Sequence, residues 1–230
     1  MVLEIDSVGV SYGDRHVLTA ASLRAPAGRI TALVGRNGVG KTSLLRVGVG
    51  LQQPTHGVVR LNGRAYPRPS LPRLARAGLF FLPARDILDP FVPVGLQLEA
   101  VSRFYSGPRA ETLGELLGLG GLLAGRPVSL SGGELRRAEL ALALARQPAC
   151  LVADEPFRGI DPRDIEIIGR ALRSYLDTGA AIVVTEHEIG PVSKLADGVV
   201  WCVAGTTHEF PKAADGWADA QLRRDFLGGE

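Results

Sequence analysis

The run Gly35-Arg36-Asn37-Gly38-Val39-Gly40-Lys41-Thr42 fits the pattern G-x-x-x-x-G-K-[ST] without a gap. Such a loop works between a buried strand and a helix. Its backbone N–H groups turn inward while the helix N-terminus points at the same spot. The flanks comply: Ile30-Thr31-Ala32-Leu33-Val34 is short, mostly apolar and rich in β-branched residues, which predicts a buried strand, and a helix is expected from about Lys41. This feature alone points to an α/β fold with parallel strands. Its chemistry is nucleotide binding. The glycines let successive N–H groups surround phosphate oxygens, Lys41 can reach the β and γ phosphates, and the Thr42 hydroxyl can ligate Mg²⁺. Ser43 follows in the first helical turn. The lysine is selective, because only Lys41, Lys194 and Lys212 are lysines among 26 basic residues. A slim ammonium packs among phosphates where a wide, planar guanidinium does not.

The rest of the chain extends this pattern. Residues 3–6 alternate apolar and polar, with Val8 and Val10 following, as in an antiparallel strand; Tyr12-Gly13-Asp14 reads as a turn and His16 to Leu23 as a second strand. Strands are also expected at Val58–Leu61, Leu79–Leu82, Cys150–Ala153, Ala181–Val184 and Val199–Val203. Pro67, Pro69 and Pro72 predict an irregular stretch. Helices are expected from Gly132 to Arg146, from Pro162 to about Leu176 with Asp161 as cap, and from Ile189 to Leu195. Residues from about 86 to 128 hold leucines at helical spacing and no strong strand. The segment from Lys212 is polar and carries little signal.

Composition excludes several classes. A net charge of +2 is too balanced for a protein that coats nucleic acid, so no direct nucleic-acid partner is expected. Two cysteines, Cys150 and Cys202, support neither a disulfide scaffold nor a four-cysteine zinc site, and both sit in apolar runs as reduced core residues. No stretch approaches the roughly 18 apolar residues that a membrane helix needs. The start, Met1 to Asp6, lacks the layout of a signal peptide. A soluble, cytoplasmic protein is expected, with any role at a membrane exerted through a partner.

Two further runs carry chemistry. Cys150-Leu151-Val152-Ala153-Asp154-Glu155 is an apolar strand ending in two carboxylates. Asp154 would hold Mg²⁺ directly or through water, and Glu155 could polarise a water for attack on the γ-phosphate. Leu130-Ser131-Gly132-Gly133-Glu134 precedes an Arg/Ala/Leu helix. A hydroxyl and two glycines there form a second anion site, and the same residues also describe a Ser cap with Glu134 at the third helical position.

The order of these motifs resembles the ATP-binding subunit of ATP-binding cassette (ABC) transporters, over about Leu3 to Val203. The resemblance implies a P-loop NTPase core with a mostly parallel sheet, an N-terminal antiparallel β layer and an inserted helical lobe. It implies one ABC ATPase domain over 1–230, with the helical signature lobe at about 86–146. It implies that two subunits bind head to tail, so that Ser131, Gly132 and Gly133 of one close on the γ-phosphate held by the other. Glu134 stands where the family more commonly has Gln. Tyr12 sits where the family stacks an aromatic on adenine. His187 takes the place of the histidine that contacts the γ-phosphate, and Asp161 lies in the loop that communicates across the dimer. ATP and Mg²⁺ are the implied cofactors. The implied partners are transmembrane permease subunits and a second ABC ATPase, identical or paralogous, at the inner face of the cell membrane. A soluble ABC-type ATPase acting on nucleic acid or a protein assembly is the alternative.

In one place the pattern fails. Where the family has a Gln that helps ligate Mg²⁺ and hinges the helical lobe, this chain reads Leu82-Pro83-Ala84-Arg85-Asp86. Ala84 cannot ligate a metal. Gln97 is too far along to replace it, and water is expected in its place rather than Asp86.

Overall fold

The computed structural model describes residues 2–84, 87–186 and 189–227, with 226 and 227 as backbone only. Ten strands form one sheet. They are β1 (Leu3–Tyr12), β2 (Arg15–Ala25), β3 (Ile30–Val34), β4 (His56–Leu61), β5 (Arg64–Tyr66), β6 (Leu79–Leu82), β7 (Cys150–Asp154), β8 (Ala181–Thr185), β9 (Gly198–Val203) and β10 (Thr206–Phe210). Their spatial order is β5-β4-β1-β2-β10-β9-β3-β8-β7-β6. The half from β9 to β6 is parallel throughout. The N-terminal half, β1, β2, β4 and β5, is antiparallel.

The parallel strands are buried on both faces, as their near-continuous apolar runs require. Their side chains alternate. Ile30, Ala32, Val34, Leu151 and Ala153 face one core, while Leu33, Cys150, Val152 and Cys202 face the other. The first core is closed by helices α3 (Val94–Tyr105), α4 (Ala110–Leu116), α5 (Gly132–Ala145) and α6 (Pro162–Tyr175). The second is closed by helix α1 (Lys41–Gly48) and the antiparallel strands. Between β6 and β7 the described residues are helical or irregular, with no strand.

Several local expectations are corrected. Tyr12 is the last residue of β1, and the turn is Gly13-Asp14. The proline-rich stretch contains a short helix α2 (Leu71–Arg76), because Pro72 falls in the first turn, where its missing N–H costs nothing. The segment from Lys212 forms helices α8 (Ala213–Ala218) and α9 (Ala220–Leu227), following the short α7 (Ile189–Ser193). The buried side chains of Ala213 and Leu222 tie α8 and α9 to the core. The edge strand β5 and the strand β10 are additions to the expected set.

Both cysteines are buried and free. Burial pushes the Cys150 thiol up to about 12 and the Cys202 thiol up to about 11, so both stay protonated near neutrality, as core residues do.

Candidate nucleotide site and signature helix

Register sets the site. Leu33 of β3 pairs with Thr185 of β8, and Thr185 pairs with Asp154 of β7. The carboxyl ends of three adjacent parallel strands are therefore level. That is the edge at which α/β sheets place ligands. The loop 35–40 leaves β3 there and enters α1 at Lys41.

The loop is held from below by β9. The Cys202 thiol donates to the Val39 carbonyl at 3.7 Å. Gly35 has φ +147°, and a Cβ on it would lie 2.4 Å from the Cys202 carbonyl oxygen, so only glycine fits this first position. Lys41 is 6% exposed, and its Nζ donates to the carbonyls of Gly35 at 2.6 Å and Arg36 at 3.0 Å. An ammonium has three N–H donors, so a phosphate oxygen can be the third partner. Burial lowers the Lys41 pKa, and the nearby carboxylates of Glu155 and Asp154 oppose that shift.

Two pockets flank the loop. One, of about 340 Å³, is lined by Tyr12, Arg15, Val17, Gly38, Gly40, Lys41, Thr42 and Ser43. The structure thus brings Tyr12 beside the loop, half exposed, with its hydroxyl donating to Gln52 at 2.8 Å. The second, of about 690 Å³, joins Asn37 and Gly38 to Phe157, Gly159, Ile160 and Glu186 across the cleft. Arg36 is exposed, and Val39 is half buried.

Across from the loop, Thr185 organises the carboxylates. Its hydroxyl donates to Asp154 Oδ1 at 2.6 Å and accepts the Glu155 backbone N–H at 3.0 Å. Glu155 has φ +47°, unusual for a residue with a side chain, which turns the chain sharply at the strand tip. Its carboxylate pairs with exposed Arg158 at 2.9 Å. The Glu186 carboxylate, buried, accepts the Phe157 N–H at 2.8 Å and so fixes the segment after Glu155. His187 and Asp86 lie outside the described residues. Thr185 and Glu186 carried no motif signal. Only the pairing of β7 with β8 brings them to Asp154 and Glu155.

The donor set fits a Mg²⁺ ion that arrives with phosphate. Among the described residues no three His, Cys, Asp or Glu side chains cluster to cage a metal. The Asp154 carboxylate, anchored by Thr185, and the exposed Thr42 hydroxyl are two protein oxygens that could hold it. Mg²⁺ binds in this manner, through one or two protein oxygens plus phosphates and waters. Ala84 is exposed and adds no oxygen. Gln97 is engaged elsewhere, with Asp89 and Val92.

The signature run starts α5. Ser131 Oγ accepts the Glu134 N–H at 3.3 Å, and the Glu134 carboxylate accepts from the Ser131 N–H and hydroxyl, both at 2.9 Å. This is a complete capping box. The Ser131 backbone and hydroxyl donors hold the Glu134 carboxyl below its usual range. Gly133 has a separate reason to lack a side chain: a Cβ there would lie 1.7 Å from Asp164 Oδ2 of α6. Asp164 pairs with Arg137 at 2.8 Å, both nearly buried. Gly133→Ala is expected to push α5 off α6 and to destabilise the fold by about 1–3 kcal/mol, the usual cost of overpacking; thermal unfolding checks this. Asp161 caps α6, accepting from Arg163 N at 2.8 Å and Asp164 N at 3.0 Å. Those bonds, the Asp164 backbone first, lower its pKa. Among the described residues, neither pocket at the phosphate loop is lined by any of Ser131, Gly132, Gly133 and Glu134.

Comparison with known proteins places the chain in a family. The family described as ABC transporter matches residues 18–158. The Nod factor export ATP-binding protein I of Paraburkholderia xenovorans (strain LB400) is 36% identical over 97% of this chain and 73% of its own length. Its namesake from Rhizobium meliloti is 35% identical over 89% of this chain and 62% of its own. The chain thus spans roughly two thirds of the length of these relatives. A solved ATP binding subunit of an ABC transporter superposes with TM-score 0.83 at 23% identity, over 99% of this chain and 97% of that one. A dimeric ATP-binding cassette in a post-hydrolysis state with ADP and Pi superposes with TM-score 0.77 at 22% identity, over 90% and 98%. These two likenesses establish the fold, and the sequence matches establish the lineage. The chain belongs to the ABC transporter family, as one of its ATP-binding ATPases.

Proposed function

We propose that this ATPase binds MgATP at the phosphate loop, closes head to tail on a second ABC ATPase, and drives transport in separate transmembrane subunits. The observation that carries the reading is the split of the machinery. Lys41, followed by Thr42, lies near the Asp154 and Glu155 carboxylates at one sheet edge, while none of the signature residues at the start of α5 lines either pocket at the phosphate loop. A second chain is then needed to bring Ser131, Gly132 and Gly133 to the γ-phosphate. The partner is an identical copy or a paralogue.

In this reading Lys41 and the loop N–H groups hold the phosphates, and Tyr12 stacks on the adenine at the pocket mouth. Glu155 accepts the proton of a water as its oxygen bonds to the γ-phosphorus, and ADP leaves with the electrons of the broken P–O bond. His187 contacts the γ-phosphate, and Asp161 and its loop relay the state of one site to the other. Thr42 and Asp154 would hold the Mg²⁺ that comes with ATP, which would supply neutralisation of phosphate charge. The helical residues 86–146 move as a lobe within one domain, 1–230.

Among the described residues no helix is long and apolar enough to cross a membrane. The transmembrane partner needs a docking face, and the helical lobe offers one. Phe91 is 71% exposed and Val128 67%, and the Val128 N–H donates to the Pro90 carbonyl, which holds the two side chains' segments together. In this reading these two neighbouring exposed apolar side chains form part of that face. The relatives named for export support a place at the inner face of the membrane in an exporter. Copurification from membranes tests the reading. The wild type is expected to bring down a transmembrane chain. Phe91→Asp is expected to lose that chain while keeping ATP hydrolysis in solution. Retention of the chain by Phe91→Asp would move the docking face elsewhere, and the absence of any membrane chain from the wild type would favour a soluble role.

A further inference from the structure

Helix α5 carries a buried ion pair that the phosphate chemistry does not use. Arg136 and Glu139 are 8% and 2% exposed and meet at 2.9 Å. Among the described residues their other bonds reach Pro83, Ile87, Asp154 and Pro156. Arg136 Nη1 donates to the Pro83 carbonyl at 2.8 Å, directly before Ala84. Glu139 Oε1 accepts the Ile87 N–H at 2.9 Å, on the far side of the same turn. Arg136 Nη2 donates to the Asp154 carbonyl at 3.0 Å, and Nε donates to the Pro156 carbonyl at 3.3 Å. The last two carbonyls bracket Glu155.

We infer that Arg136 and Glu139 are positioning residues that tie the turn after β6 to the end of β7 that carries Glu155. Glu139 Oε2 joins the pair, while Glu139 Oε1 and the planar guanidinium are divided among Ile87, Pro83 and both neighbours of Glu155. A guanidinium can serve several acceptors in one plane, which an ammonium on a flexible stem cannot. The side chain at Ala84, a methyl group, contributes no polar contact to this junction. Pro83 and Ile87 are thereby linked through α5, the helix that begins with the signature, to the backbone on each side of Glu155. Neither residue touches nucleotide in this account, and the inference rests on the ATPase reading of Glu155.

The test is steady-state ATP hydrolysis with separate measurement of nucleotide affinity. Removing one partner alone leaves a buried charge unpaired, so the main variant removes both, Arg136→Gln with Glu139→Ala. It is expected to lower kcat by about 10- to 100-fold, as small misplacements of reacting groups do. The ATP dissociation constant is expected to stay within about twofold of wild type, since phosphate-loop contacts are untouched. Hydrogen exchange at the Ile87 amide is expected to accelerate, while β6 stays protected. The second variant, Arg136→Lys, keeps the charge opposite Glu139 and removes the planar fork. It is expected to show the same selective loss of kcat. Unchanged kcat in either variant, or a parallel fall in ATP affinity and thermal stability, would overturn the positioning role. Wild-type protein separates this failure from the other one. If wild type does not hydrolyse ATP, the ATPase reading falls and takes the positioning role with it.

Discussion

Glu155→Gln is expected to cut the rate of ATP hydrolysis by about 10²–10⁴-fold, the usual contribution of a positioned general base. An amide cannot accept the proton of the attacking water. The backbone geometry at residue 155 is expected to survive, because it depends on the Thr185 hydroxyl accepting the 155 N–H rather than on the side chain. ATP affinity is expected to stay near wild type, since Lys41 and the loop do not change. Among the described residues the Glu155 carboxylate pairs with an exposed arginine, Arg158, three residues along, and an exposed pair of this kind adds little to the stability of the fold. Single-turnover hydrolysis and equilibrium binding on the same preparation separate the two effects. A wild-type rate would place the base elsewhere.

Lys41→Ala is expected to weaken ATP binding and to abolish turnover. The removed ammonium is held inside the phosphate loop, and a charge-assisted contact from it to phosphate contributes about 1.5–3 kcal/mol, or roughly 10- to 150-fold in affinity. The folded state is expected to tolerate the change. The bonds lost, to the Gly35 and Arg36 carbonyls, come from a lysine that burial already disfavours in its charged form. Calorimetric titration with MgATP reads the loss directly, and unchanged affinity would refute the assignment of the loop.

The phosphate loop was legible because its whole function is written in eight consecutive residues and two flanking patterns. The capping box at Ser131 and Glu134 and the cap at Asp161 were legible for the same reason: both are local. Thr185 and Glu186 were not, since only the register of β7 on β8 brings them to the carboxylates. Arg136 and Glu139 sit in a run of arginine, alanine and leucine. There a buried ion pair and a solvated helix face have the same spelling. Helix α2 was hidden by its own prolines, because a proline opening a helix and a proline in a loop are the same letter, told apart only by the turn of helix beyond it. The strand β10 and the helix α8 have weak patterns of their own and owe their place to packing on β9, as α9 does to packing on α8.

The central claim is that ATP is enclosed between the phosphate loop of one chain and the signature of another. Size-exclusion chromatography of Glu155→Gln with and without MgATP tests it most directly. With nucleotide the 24.4 kDa chain is expected to elute at twice its mass. Adding Ser131→Arg is expected to return it to the monomer position, because the larger side chain fills the place of the γ-phosphate of the opposite site. A dimer indifferent to both nucleotide and Ser131→Arg would contradict the account, as would a chain that at saturating MgATP stays monomeric alone and pairs with no second ABC ATPase copurified from its membranes.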